Sequence, residues 1–123
     1  MIAGIGIDAV QISRMKKWAD NPVLLERFFD ARELLIIRER GKGMIRSLAS
    51  HFAAKEAFCK ALGTGFSGIV LKDIMVLNHK DEMPILHAEG SAMEAIKASG
   101  INKIHISLTH DGDIALAFVV LEG

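Results

Sequence analysis

The first part of the chain shows the period of a strand and then the period of a helix. Small and β-branched residues at positions 2–7 predict a short buried strand that ends at Asp8. Residues 10–18 have a helical pattern, which Asn21-Pro22 interrupts before a second helical stretch begins. The pattern therefore predicts one strand followed by two short helices.

Two further helices follow, and the second is the longest element that the pattern predicts. Asp30 has the position of an N-cap residue, with Glu33 placed to complete a capping box, for a helix over residues 31–40. A longer helix is predicted over residues 44–62. Gly63 is suited to close it, because glycine readily adopts the left-handed conformation.

The second half of the chain predicts mainly strands. Apolar runs at 71–78 and 85–88 flank a turn-like segment, and residues 90–99 have a helical pattern. Two alternating runs at 104–109 and 114–121 surround an Asp-Gly-Asp turn, which is a strong signal for a β-hairpin. Together these elements predict an α+β fold, in which an antiparallel sheet packs on one long helix with shorter helices around it.

Length and composition limit the class of protein. The 123 residues, half of them hydrophobic, are enough for one domain with a core and too few for two, so we expect a single domain over 1–123. Cys59 is the only cysteine, which excludes an intrachain disulfide and a thiolate-rich zinc site. The sequence has neither an apolar run that could span a bilayer nor a signal-peptide pattern. We therefore expect a cytoplasmic protein that does not bind membranes.

Charge is distributed unevenly, although the formal net charge is zero. Residues 1–60 carry 11 Lys or Arg against 7 Asp or Glu, and residues 61–123 carry 4 against 8. The basic half could attract an acidic or phosphate-bearing partner, or its charges could simply cover solvated helix faces. Nucleic acid is not expected as a partner, because neither an aromatic-rich basic strand nor zinc-finger spacing accompanies these charges.

Two motifs match known functional sites in residue type and spacing but not in structural context. Gly63, Gly65 and Gly68 have the spacing of a dinucleotide-binding loop, but that loop follows a strand and opens a helix, and here the order is reversed. Ser107 and His110, with an adjacent aspartate, suggest a hydrolase triad, but neighbours on one strand cannot form its relay. Neither a Rossmann domain nor a triad hydrolase is predicted.

Glu56 is the most informative polar residue of the long helix. At 100° per residue it falls near the middle of an apolar stripe. The stripe comprises Ile45, Leu48, Ala49, Phe52 and Cys59. An ionised, unpaired carboxylate there would be costly, so it should be protonated, paired or bound to a cation. Lys60, four residues on, offers a purely structural partner, whereas Lys55 and Lys60 together could hold a phosphate beside a metal.

Asp8 is the second candidate carboxylate. It directly follows the predicted strand and stands three residues before Gln11, so it could be an ordinary N-cap with a capping box. Alternatively, two carboxylates from separate segments, completed by water and a pyrophosphate, would suit Mg²⁺, which rarely uses an all-protein cage. The pattern alone leaves both interpretations open.

Three blocks of sequence resemble one known family. They are Gly-Ile-Gly-Ile-Asp at 4–8 with Arg14, Phe-Ala-Ala-Lys-Glu-Ala at 52–57 with Lys-Ala-Leu-Gly-Thr-Gly at 60–65, and Ile-Ser-Leu-Thr-His at 106–110. In this order and spacing they resemble the signature blocks of the holo-acyl-carrier-protein synthase family, over nearly the whole chain. The resemblance implies the 4′-phosphopantetheinyl transferase fold and, as in the bacterial members, a homotrimer with active sites between subunits.

The resemblance also implies roles for individual residues. Asp8 and Glu56 match the magnesium ligands of the family. Residues expected at the coenzyme A site are Lys55, Lys60, Gly63, Thr64, Gly65 and His110. Arg14 matches a residue that docks the acidic helix of the carrier protein. The charge asymmetry adds further candidates to that surface, namely Lys17, Arg27 and Arg46. His51 stands where the family usually has arginine, so one basic contact is expected to be weaker.

The implied reaction is attack by a serine hydroxyl of apo-acyl carrier protein on the β-phosphate of coenzyme A, with adenosine 3′,5′-bisphosphate leaving, in support of fatty acid biosynthesis. Mg²⁺ would neutralise charge on the pyrophosphate, and Lys60 would add positive charge. Glu56, His110 and a metal-bound water are all candidates for the base. Two alternatives stay open: a catalytically silent carrier- or coenzyme-A-binding module, and a metal-dependent phosphohydrolase.

Overall fold

The computed structural model describes residues 1–63, 68–78 and 83–123, and its elements follow in the predicted order. The strands are β1 (Ile2–Gln11), β2 (Ile74–Leu77), β3 (Ile85–Ala88), β4 (Lys103–Asp111) and β5 (Ile114–Glu122). The helices are α1 (Lys16–Ala19), α2 (Pro22–Phe28), α3 (Ala31–Arg38), α4 (Met44–Leu62) and α5 (Gly90–Ala98). Turns of 3₁₀ helix lie at Ile12–Met15, Gly41–Gly43 and Leu71–Asp73.

The strands form two antiparallel sheets. β5 lies between β1 and β4 in the larger sheet, and β2 pairs with β3 in a separate ribbon. One face of the larger sheet packs against α4, while α3 and β2 contact other parts of the same helix. The predicted α+β architecture, an antiparallel sheet on one long helix with shorter helices around it, is confirmed.

The contact between β1 and α4 is unusually close. An ideal Cβ atom on Gly6 would lie 2.0 Å from the carbonyl oxygen of Ala57. One on Gly4 would lie 2.0 Å from the carbonyl oxygen of Ala61. Since neither space admits a side chain, glycine at both positions is what allows the strand to lie against the helix backbone.

The long helix is buried over more of its circumference than the predicted stripe. Its fully buried residues include Leu48, Ala49, Ala53, Ala54, Ala57, Phe58 and Cys59. Ile45 and Phe52, which the stripe pattern places in the core, are only partly buried, and so is Glu56. A single apolar stripe describes a surface helix, whereas α4 is covered by the sheet on one side and by α3 and β2 on another.

The first strand is longer than predicted. β1 continues past Asp8 to Gln11, and Asp8 pairs with Ala117 of β5. The strand accommodates a carboxylate because pairing with β5 satisfies the backbone there. The prediction that Asp8 ends the strand is therefore wrong, and so is its interpretation as an N-cap. The helix expected from residue 10 begins correspondingly later, in α1.

The caps of the two middle helices are confirmed in part. The Asp30 side chain caps α3 by accepting a hydrogen bond from the Arg32 amide at 2.9 Å. Glu33 does not complete a capping box, because its side chain is fully buried and bonded within the core. Gly63 closes α4 as predicted, with φ of +78°, and its amide donates to the Cys59 carbonyl.

The second half of the chain differs from the prediction mainly in its first strand. Residues 71–73 form a 3₁₀ turn, so β2 is shorter than the predicted strand. The final hairpin is confirmed, with Gly112 at φ of +55° in its turn. The predicted turn before β3 falls largely outside the described residues. Within the described ranges, no helix has the length and apolar character needed to cross a membrane.

We expect Gly6→Ala to lower the free energy of unfolding by about 2 kcal/mol or more, because the added methyl group would overlap backbone atoms that cannot rotate away. Gly43→Ala is the matched control. It has φ of −86°, and its added Cβ would find the nearest neighbouring atom at 3.5 Å. Urea denaturation measures both variants, and equal losses of stability would contradict the close-contact explanation.

Candidate active site

Asp8 and Glu56 lie near each other, just beyond the point where Gly4 and Gly6 of β1 contact α4. Side chains alternate along a strand, so Asp8 lies on the same face as Gly6 and turns toward the helix. Its carboxyl group lies close enough to Glu56 to raise the pKa of that residue. Lys60, one helical turn on, donates from Nζ to Asp8 Oδ1 at 2.8 Å and to the Ile7 carbonyl at 3.1 Å. Lys60 therefore pairs with Asp8, although the sequence offered Glu56 as its partner.

Glu56 holds a proton more tightly than an ordinary glutamate. The pKa of Glu56 is raised to about 8, first by burial and then by Asp8, which acts both through a hydrogen bond and through its negative charge. Lys60 and Arg14 act in the opposite direction, because positive charge favours the ionised carboxylate. In the protein alone, the Glu56 carboxyl group is therefore largely protonated at neutral pH.

One oxygen of Asp8 fits a cation site. Asp8 Oδ2 is buried, and no nitrogen or hydroxyl group of the described residues donates a hydrogen bond to it. A hydrogen bond from a protonated Glu56 carboxyl group, or a bound cation, would satisfy this oxygen. The described ranges contain no cluster of three or more His, Cys, Asp or Glu side chains that could hold a metal. Two carboxylates with room for water and phosphate oxygens suit Mg²⁺ better than a transition metal.

An apolar cavity of about 530 Å³ opens beside Glu56. It is lined by Trp18, Arg27, Phe28, Phe52, Glu56, Ile69, Val70 and Leu71. The Trp18 ring contacts two of the other aromatic rings, with centroids 5.4 Å away for Phe28 and 5.0 Å for Phe52. The hydrophobic pattern of the sequence does not predict this cavity. Its one available signal was Phe52, four residues before Glu56 and therefore on the same side of the helix.

Arg14 is held near the carboxylates by the final hairpin. The 3₁₀ turn that carries Arg14 is bonded to Asp113, whose carboxylate accepts from the Ser13 amide at 3.0 Å and from Ser13 Oγ at 2.6 Å. The Asp113 carbonyl also accepts from the amide of Ile12 at 2.7 Å. The hairpin thus fixes the turn, and the Arg14 charge is close enough to lower the pKa of Glu56.

The other predicted docking residues divide into two groups. Lys17 on α1 and Arg27 on α2 are exposed, and Arg27 borders the cavity with its guanidinium 5.5 Å from the Phe28 ring centre. Arg46 is also exposed, but it precedes Glu56 by ten residues on α4, which is about 15 Å along the helix axis. The structure therefore places Arg27 beside the cavity and Arg46 far from Glu56 along α4.

Lys55 does not reach the site, which corrects its assignment to coenzyme A. Its side chain is 0% exposed, and Nζ donates to Glu33 Oε1 at 2.6 Å, to the Leu71 carbonyl at 3.1 Å and to the Ile74 carbonyl. Burial lowers the pKa of Lys55, while the adjacent carboxylate opposes that change. All three ammonium hydrogens have partners in the interior, so none is available to a phosphate from solvent.

His51 is also an interior residue. Its side chain is 3% exposed, and Nδ1 lies 2.8 Å from Glu33 Oε2, which also accepts from the Val76 amide at 2.9 Å. The weaker basic contact expected from histidine at this position is therefore not the relevant effect, because the ring faces the core of the described chain and not a ligand.

His110 is not joined to the two carboxylates within one chain. It is exposed near the end of β4, opposite Ala115 of β5, and β5 separates it from β1. Two strand spacings, about 10 Å, therefore lie between the backbone of His110 and β1. Of the predicted glycine turn, Gly63 closes α4, whereas Thr64 and Gly65 lie outside the described residues.

Comparison with known proteins identifies the family. Residues 4–119 match the 4′-phosphopantetheinyl transferase superfamily. The holo-[acyl-carrier-protein] synthase of Treponema denticola is 51% identical over 123 residues, which cover 100% of both chains. The crystal structure of holo-[acyl-carrier-protein] synthase from Neisseria meningitidis has a TM-score of 0.89 at 33% identity, with 100% of both chains covered. The Helicobacter pylori enzyme in complex with coenzyme A has a TM-score of 0.82 at 30% identity, covering 96% of this chain and 99% of that chain.

The match extends from β1 to β5, so it includes both carboxylates, the whole of α4 and the final hairpin. Similarity in sequence and similarity in fold each span nearly the full chain and lead to the same group of proteins. The chain belongs to the 4′-phosphopantetheinyl transferase superfamily.

Proposed function

We propose that this chain acts, as one transferase domain, by moving the 4′-phosphopantetheine group of coenzyme A to a serine of apo-acyl carrier protein. The products are holo-acyl carrier protein, used in fatty acid synthesis, and adenosine 3′,5′-bisphosphate. The enzyme is a phosphopantetheinyl transferase, like the relatives that match it over their full length. The observation that carries the proposal is the pair of neighbouring carboxyl groups of Asp8 and Glu56, the second of which lines an apolar cavity.

Asp8 and Glu56 are the residues that would hold Mg²⁺. The buried oxygen of Asp8, which receives no hydrogen bond from the described residues, and the raised pKa of Glu56 both support this assignment, since a cation can replace the proton that Glu56 holds. When bound, Mg²⁺ supplies positive charge that stabilises the pyrophosphate as the phosphoryl group is transferred. Both carboxylates are fixed on rigid elements, which favours precise positioning of a pyrophosphate beside them.

Lys60 and the cavity complete the proposed substrate site. The Lys60 side chain is 55% exposed, so its ammonium can turn from Asp8 toward a phosphate without leaving a buried charge. The neutral pantetheine arm would lie along the apolar cavity walls, which exclude water from the serine attack. The Gly63 turn at the end of α4 borders the segment expected to line the nucleotide. We place the reaction in the cytoplasm, where an unpaired cysteine such as Cys59 stays reduced.

We expect Asp8→Asn and Glu56→Gln to lower turnover by at least about 100-fold while the protein stays folded, because each change removes one anionic ligand at nearly constant volume. Glu94→Gln, at an exposed position on α5, is the matched control and should keep wild-type turnover. The assay incubates apo-carrier protein, coenzyme A and Mg²⁺, and the carrier is then weighed by mass spectrometry. Calorimetric titration with Mg²⁺ measures the loss of binding separately.

Each competing function gives a different result in this assay. A silent binding module would bind the carrier without adding mass to it, and a phosphohydrolase would cleave coenzyme A without any acceptor. Full wild-type turnover in excess chelator would contradict the magnesium assignment.

A homotrimer would explain both the isolated His110 and the apolar outer face of the sheet. The outer face, defined as the side turned away from α4, exposes Ile5 by 61%, Ile7 by 58% and Phe118 by 42%. Ile7 and Phe118 are neighbours across β1 and β5, so these side chains form a continuous patch. Contiguous apolar patches of this kind favour burial against another subunit. A second copy could also supply His110 to a site that lacks it within one chain.

We expect light scattering to give about three times the 13.4 kDa chain mass for the wild type and a single chain mass for Phe118→Glu, since a charge would be costly in an apolar interface. Turnover of Phe118→Glu should fall together with the trimer. Leu35→Glu, at an exposed apolar position on α3, is the matched control and should remain trimeric. An active wild-type monomer would contradict the proposal.

Carrier docking is the remaining element of the proposal. Arg14, Lys17 and Arg27 lie on three consecutive short elements, all three are exposed, and Arg27 lines the cavity. An acidic carrier helix would be steered to such a surface, and the attraction would weaken as salt shortens the screening length below about 10 Å. Arg46 remains a predicted docking residue, but its distance along α4 makes it the weakest of the four.

We expect Arg14→Ala to raise the KM for carrier protein by an amount equivalent to about 1 to 3 kcal/mol, with a much smaller change for coenzyme A, because it removes a charged contact to the carrier alone. Lys97→Ala, exposed on α5, is the matched control and should leave both constants unchanged. Steady-state kinetics with each substrate varied in turn measures the effect. Equal changes in the two constants would show that Arg14 is not a docking residue.

A further inference from the structure

Glu33 and Lys55 form an ion pair in the interior that the transfer reaction does not use directly. Both side chains are 0% exposed, and Lys55 Nζ lies 2.6 Å from Glu33 Oε1. The Phe29 ring covers the ammonium, with its centre 4.9 Å away. Such a pair costs desolvation energy, and replacing it with apolar side chains is often neutral or stabilising, so stability alone does not account for it.

The remaining hydrogen bonds of the pair go to the backbone of one segment. Lys55 Nζ donates to the carbonyl of Leu71 at 3.1 Å and to that of Ile74, while Glu33 Oε2 accepts from the amide of Val76 at 2.9 Å. The ion pair, which spans α3 and α4, therefore holds the 3₁₀ turn at Leu71–Asp73 and the beginning of β2 through three backbone groups.

The same segment forms one wall of the cavity. Ile69, Val70 and Leu71 line the cavity together with Phe52 and Glu56 of α4. Lys55 and Glu56 are adjacent residues of α4, so the side chain that fastens the wall and the carboxylate that faces the cavity project from the same turn of helix. The Lys55 side chain thus links the wall, at the Leu71 carbonyl, to the helical turn that carries Glu56.

We propose that Glu33 and Lys55 are positioning residues: their ion pair fixes the wall at residues 69–71 relative to Glu56 and thereby sets the width of the cavity that receives the pantetheine arm. His51 supports the pair by fixing Glu33 Oε2 from one helical turn before Lys55. The identity of the arm rests on the proposed function, whereas the effect on the cavity does not.

The double variant Glu33→Gln/Lys55→Met tests this role without leaving a single buried charge. We expect it to stay folded by circular dichroism, since glutamine keeps hydrogen-bonding groups at the first position and methionine is similar in length to the lysine that it replaces. The KM for coenzyme A should rise about tenfold, with kcat changed by less than about threefold, because the wall binds substrate and does not take part in the chemistry. Leu121→Ala, in the core under the far end of the sheet, is the control for lost stability alone.

Trp18, the single tryptophan, reports on the cavity independently of activity. Acrylamide should quench Trp18 about twofold more strongly in the double variant than in wild type, and Leu121→Ala should match wild type, because only a displaced wall admits the quencher in the folded state. Quenching and KM that are the same in the double variant as in the control would overturn the proposal. If the wild-type protein itself has no transferase activity, altered quenching in the double variant would still support the positioning role, whereas the proposed function would be contradicted.

If the double variant does not fold, hydrogen exchange of the wild-type protein tests whether the ion pair holds the wall to α4. The amides of residues 71–76 should exchange as slowly as those of α4, since the ion pair makes helix and wall one cooperative unit. Exchange of this segment many times faster than exchange of α4 would overturn the proposal.

Discussion

The close approach of β1 to the backbone of α4 is the constraint on which the candidate site depends. Gly4 and Gly6 remove the side chains that would otherwise separate strand from helix. Two residues on, Asp8 is therefore brought to Glu56 and Lys60 instead of facing solvent at the usual distance between a sheet and a packed helix. The proximity of the two carboxyl groups is a consequence of packing, and burial of Glu56 at this place raises its pKa.

The order of elements could be predicted from the sequence because local signals determine it. Alternating runs, the Asp-Gly-Asp turn and the Gly63 cap act over a few residues, and the structure retains all of them. The extent of β1 could not be predicted in the same way. Local composition predicts a strand end at Asp8, but pairing with β5 continues through it to Gln11. Pairing of that kind depends on residues more than a hundred positions away.

The same difference between local signals and long-range contacts applies to the residues of the site. Asp8 and Glu56 were identified from a resemblance between short blocks, and the fold brings them together. Lys55 is adjacent to Glu56 in the same block, and the sequence alone makes both residues candidates for the site. Its burial depends on Glu33 and on carbonyl groups of the segment before β2, which no local pattern reports. The cavity escaped prediction for a similar reason, since it is assembled from α1, α2, α4 and residues 69–71.

The buried pair of Glu33 and Lys55 also constrains how such a sequence can diverge. Loss of either charge alone leaves the other uncompensated in the core, so intermediates with one changed residue are disfavoured during evolution. The two positions are therefore coupled, and substitutions at them should be accepted jointly or not at all. In an alignment of relatives, an invariant lysine next to an invariant glutamate would resemble a pair of catalytic residues. The lysine, however, would be invariant because its replacement is tolerated only together with a change at Glu33.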